Sequence, residues 1–127
     1  MFLINEDKSI YLTRGDIANI EVTAKDSEGK AYTFQKGDVV RMKVFEKKGC
    51  ECVVLQKDVV VEAEAKAVTI FLGKEETTIG EIISKPKEYW YEVELNPETL
   101  PQTIIGYDED GAKVFKLFPE GRESWQV

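Results

Sequence analysis

The residues of this chain that could do chemistry are its acids. Asp and Glu number 24 against 17 Lys and Arg, there is no His, and the formal charge is -7 at pH 7. General acid–base work needs a proton-transferring pair held in register. Glu92 and Glu94 offer one, because residues two apart on an extended segment point to the same face. With so many acids on one chain, the pair reads as the wet face of a sheet. The lack of His excludes Ser-His-Asp and Cys-His nucleophilic sites. Gly15, Gly29 and Gly37 stand as isolated turn glycines and form no phosphate loop. Asp108-Glu109-Asp110-Gly111 begins like a calcium loop but lacks the later ligands and the closing Glu. Cys50 and Cys52 share a strand face yet diverge too far for an easy disulfide. Without His they cannot complete a four-ligand zinc site, so they read as two reduced thiols near a turn. No catalytic residue, cofactor or metal is expected.

Two further features have possible binding chemistry. Arg14-Gly15-Asp16 matches a cell-adhesion tripeptide, but it stands where one strand must turn into the next, which is reason enough for its Gly. In Tyr89-Trp90-Tyr91, the alternation puts both Tyr in the core and Trp90 on the opposite face, beside Glu92 and Glu94. An out-facing Trp is either covered by a neighbouring strand, a protein-interface anchor or a sugar-stacking platform. Trp125, near the end of the sequence, must fold back or dock on a partner to be held.

Period-2 alternation positions these residues. Ala18, Ile20 and Val22 share one face of a strand. So do Val40, Met42 and Val44, with Arg41, Lys43 and Phe45 opposite. Val68, Ile70 and Leu72 alternate with Thr69 and Phe71, and Tyr89, Tyr91 and Val93 with Trp90 and Glu92. All the inward members are expected in one core, in the manner of antiparallel sheets with one wet face. Cys52 to Val61 reads as two short strands or one bulged strand, and 62–67 as a turn. Lys74 to Ser84 carries Ile79, Ile82 and Ile83 at helical spacing, with Thr78 and Glu81 in capping-box register and Pro86 as a stop. Residues 103–107 and 112–118, joined by the acidic Gly-containing turn, read as a hairpin. Short strands with frequent turns indicate a sandwich or barrel.

The length of 127 residues fits one domain, residues 1–127, able to bury its own core. The acidic balance opposes nucleic-acid binding, which requires Lys and Arg to neutralise phosphates, and opposes anionic membranes. No apolar run approaches the roughly 18 residues of a membrane span. Met1-Phe2-Leu3-Ile4 is too short for a signal core, so a cytoplasmic origin is expected.

One series of phrases carries a resemblance. It comprises Leu12-Thr13-Arg14-Gly15-Asp16, the strand 18–25, Asp26-Ser27-Glu28-Gly29 and Gly37-Asp38-Val39-Val40. It continues through Val68-Thr69-Ile70-Phe71-Leu72 before a short acidic helix, Tyr89-Trp90-Tyr91-Glu92-Val93-Glu94-Leu95, and Leu117-Phe118-Pro119-Glu120-Gly121. The series resembles small β-sandwich structural proteins of phages and prophages of Gram-positive bacteria, and is similar to the N-terminal domain of the siphophage upper baseplate protein. Where that family has a Gly before the aromatic strand, this chain has Lys85-Pro86-Lys87-Glu88. The resemblance implies an all-β, antiparallel Ig-like sandwich with one short helix. It implies a virion component of the tail or baseplate, not an enzyme, assembled in the host cytoplasm with other virion proteins as a homo-oligomer or multi-copy assembly. The alternatives are a carbohydrate-binding or adhesion module and a capsid accessory protein. In the leading reading Trp90 and Trp125 are the interface residues.

Overall fold

Alternating apolar residues make strands here because each can bury one face. In the computed structural model, residues 2–5, 7–26, 28–47, 52–81, 83–106 and 112–120 are described. The strands are β1 (Phe2–Ile4), β2 (Ile10–Thr13), β3 (Ala18–Val22), β4 (Val39–Phe45), β5 (Val53–Val60), β6 (Val68–Leu72), β7 (Lys87–Leu95), β8 (Gln102–Ile105) and β9 (Lys113–Phe118). The one helix among the described residues, α1 (Lys74–Thr77), lies between β6 and β7. One sheet has the order β1-β2-β9-β7-β4-β5, with β8 also on β7. The other is the pair β3-β6. This is an all-β sandwich, with one short helix among the described residues. Its pairings are antiparallel except β2 with β9, which run parallel.

The core lies between the sheets. Every inward residue expected from the alternation is buried: Ala18, Ile20, Val22, Val40, Met42, Val44, Val68, Ile70, Leu72, Tyr89, Tyr91 and Val93. Ile10 and Leu12 from β2, Phe115 and Leu117 from β9, and Phe34 complete the cluster. Burying such side chains contributes roughly 1.5–3 kcal/mol each. Phe34 is fully buried although it belongs to no strand. Its backbone pairs with Ala65 in an isolated bridge that closes the space between β5 and β6.

Two local expectations change. The helix is four residues long and starts earlier than the Thr78–Glu81 register implied. Its cap is Gly73, whose N–H donates to Glu76 Oε1 at 2.9 Å. Helical backbone cannot run on through Gly80, which is left-handed at φ +67°. Ile79 is still buried and Ile83 half-buried, while Ile82 lies outside the described residues.

The hairpin expected between 103–107 and 112–118 is replaced by a different pairing. β8 and β9 both pair with the same edge of β7, β8 at Val93–Leu95 and β9 at Lys87–Tyr91. A nine-residue strand extends about 30 Å, long enough to carry two short partners in line. The tight turn is instead at Asn96-Pro97, where Asn96 takes φ +48° and its N–H donates to Val39 O at 2.7 Å. Residues 107–111 fall outside the described residues.

Of the two readings of Cys52 to Val61, the single bulged strand is the one found: β5 is continuous, with an irregularity opposite Val44 and Phe45. β1, Phe2-Leu3-Ile4, shows no apolar–polar alternation. It is a three-residue edge strand, paired with β2.

Candidate functional site

The outer face of the larger sheet holds Trp90. Strand register places four apolar side chains in one row across it: Val53 on β5 opposite Phe45 on β4, Phe45 opposite Trp90 on β7, and Trp90 opposite Val114 on β9. Val53 is exposed, and Phe45, Trp90 and Val114 are half-buried. Farther along, Tyr11 on β2 meets Phe118 on β9, their ring centroids 5.5 Å apart. Lys116 Nζ stands 5.7 Å from the Tyr11 centroid and 5.8 Å from that of Phe118.

Charged pairs border the row. Arg41 forms a fork with Asp58, Nε to Oδ1 at 2.9 Å and Nη2 to Oδ2 at 3.0 Å, and its Nη2 also reaches Glu98 at 3.2 Å. The fork holds the Asp58 carboxyl below its ordinary pKa. Lys43 Nζ lies 3.5 Å from Glu94 Oε1. Glu92 stands opposite Lys43, one step from Trp90 on the same face. Burial raises its pKa, the neighbouring Glu94 raises it further, and Lys43 offsets part of this. Glu92 and Glu94 therefore share one face as expected. That face is the open side of a sheet, with no nucleophile between them.

Arg14-Gly15-Asp16 is not a displayed tripeptide. Arg14 is 6% exposed. Its Nε donates to Ile79 O at 3.1 Å and its Nη2 to Gly80 O at 2.8 Å. Asp16 O accepts from Thr77 Oγ1 at 2.7 Å, and Gly15 turns the chain at φ +87°. The phrase is the corner that carries β2 of one sheet into β3 of the other and fastens it to α1. Sequence reasoning recognised the turn and missed the buried guanidinium. The signal available was an Arg at a strand end beside a chain reversal.

Cys52 is disulfide-bonded, which overturns the expectation of reduced thiols. Closeness in sequence was weighed against disulfide geometry on a regular strand, whereas Cys52 stands just before β5 begins. Cys50, Asp108-Glu109-Asp110-Gly111 and Trp125 lie outside the described residues. Among the described residues no group of three or more acids or cysteines is placed to hold a metal ion. No helix among them is long and apolar enough to cross a membrane.

A concavity of about 460 Å³ opens between the end of β3 and β8. Lys8, Lys25, Glu21, Tyr32 and Thr103 are among the residues that line it. No family model, curated protein or solved structure matches this chain.

Proposed function

We propose that this protein is a non-catalytic assembly module, a structural component of a phage or prophage particle in its tail or baseplate. It acts by docking the outer face of its larger sheet on other virion proteins. The observation that carries the docking reading is the row Val53, Phe45, Trp90 and Val114, partly exposed and centred on a Trp. Interface hot spots are enriched in Trp and cluster at the centre of a patch ringed by weaker contacts. Here Arg41 with Asp58 and Lys43 with Glu94 supply a polar border. The tail assignment is supported by the sequence resemblance alone.

Immunogold electron microscopy, with antibody raised against this chain on induced particles from its source, tests the assignment. Label at the tail tip is the expected result. Label on the capsid would move the protein to the shell, and particles without label would remove it from the virion. The adhesion alternative loses its main motif, because Arg14 is buried and engaged with Ile79 and Gly80.

A further inference from the structure

The face around Trp90 carries enough detail to specify what it receives. Five strands at about 4.8 Å spacing cover about 20 Å, and β7 runs about 30 Å. The face is thus on the order of 600 Å², comparable with the roughly 800 Å² per partner in specific interfaces. Its cations are engaged within the fold. Arg41 is held by Asp58 and Glu98, Lys43 by Glu94, and Lys116 over the Tyr11 and Phe118 rings. The acids outnumber them, and two, Glu88 and Glu92, flank Trp90 on its own strand face.

We propose that this face binds a protein surface that presents an Arg or Lys beside an apolar side chain. The apolar group would pack on Trp90 and Phe45, and the cation would meet Glu92. The proposal rests on the docking reading above and adds the chemistry of the partner. Glu92 is half-buried and crowded by Glu94, while Lys43, opposite Glu92, has its Nζ 3.5 Å from Glu94 Oε1. An incoming cation therefore meets a carboxylate that has lost much of its hydration, where charge complementarity counts most.

The test is a heteronuclear NMR titration of the folded protein with two synthetic peptides, acetyl-Arg-Leu-Arg-Leu-Arg-amide and acetyl-Glu-Leu-Glu-Leu-Glu-amide. The expected result is millimolar binding of the basic peptide, with shifts at the Trp90 indole and the amides of Phe45, Glu92 and Val114. Its affinity should exceed that of the acidic peptide by about tenfold. Glu92→Gln, a surface change that leaves the core intact, should lower the basic peptide's affinity about threefold and leave the Trp90 shifts from apolar contact. Equal affinity for both peptides, or no effect of Glu92→Gln, would overturn the charge inference and leave docking standing. Shifts confined to another surface, or none with either peptide, would overturn the docking reading as well.

Discussion

The Arg14 guanidinium donates through Nη2 to the Gly80 carbonyl at 2.8 Å, joining the β2–β3 corner to the segment after α1. With the Nε bond to Ile79 O, one buried cation satisfies two carbonyls of a segment that has no strand partner of its own. Arg14→Ala should cost about 2–3 kcal/mol, because hydrogen bonds from charged donors are the stronger ones and their acceptors would be left buried. Urea denaturation monitored by Trp fluorescence would measure it. A midpoint equal to wild type would contradict the anchoring role.

Gly15 sits in the same corner at φ +87°, and an added Cβ would collide with the Glu120 carboxylate. Gly15→Ala should cost about 1–2 kcal/mol from the left-handed backbone alone. Gly29, also at positive φ but with open space around it, gives the comparison: strain without collision. Thermal unfolding of both variants should show the larger loss at Gly15.

Val93 is fully buried at the middle of the core. Val93→Asp replaces roughly 1.5–3 kcal/mol of apolar burial with a desolvated carboxylate. Set against a typical total stability of about 5–15 kcal/mol, the variant should be unfolded or molten by near-ultraviolet circular dichroism. A native spectrum would contradict the placement of the Val93 side chain between the sheets.

Asp38 ties two loops together. It accepts from Tyr32 Oη at 2.7 Å and from the Gln35 N–H at 2.9 Å, and Asn96 Nδ2 reaches it at 3.2 Å. Burial alone would raise its pKa, but the bonds from Gln35, Tyr32 and Asn96 outweigh burial and bring it below 3.8. Asp38 thus contributes stability that is present above pH 3.8 and is lost as pH falls through its lower folded value. Asp58, held down first by Arg41, behaves the same way. Glu92 has the opposite sign. With its folded pKa raised above 4.5, protonation favours the folded state, and its charge costs stability as pH rises through the folded value. Glu92→Gln should therefore raise the melting temperature at pH 7, with the gain disappearing below pH 4.5. A gain that persists unchanged in acid would contradict the assignment.

The sheets were legible because alternation is a direct consequence of one face meeting the core. Ile20 and Val22, Met42 and Val44, and Tyr91 and Val93 could be placed without coordinates. The return strand was not legible. Thr103-Ile104-Ile105 and Val114-Phe115 each look like one arm of a hairpin, and only the length of β7 shows that both can share its edge. The turn at Asn96-Pro97, which sends β8 back along β7, emerges only with the structure. The helix register was misjudged because Gly73 lacks a capping side chain, so the relevant cap is the Glu76 carboxylate reaching back. Trp90 was legible as out-facing. Its alignment with Phe45 and Val114 was not, since alternation within a strand does not set the register between strands, and Val53 joins the row only through the irregularity between Val44 and Phe45. Cys52 was misjudged because regular-strand geometry was assumed just outside the strand.

The central claim, that the Trp90 face docks on other virion proteins, is tested most directly by size-exclusion chromatography with light scattering. Wild type, Trp90→Ala and Trp125→Ala would each be mixed with candidate tail proteins. Wild type should form a complex, and Trp90→Ala should weaken it by about 2 kcal/mol or more, a loss of roughly thirtyfold in affinity. The Trp125→Ala arm assigns any share carried by the C-terminal segment. If wild type and both variants run alike as free monomers with every candidate, the docking claim is wrong.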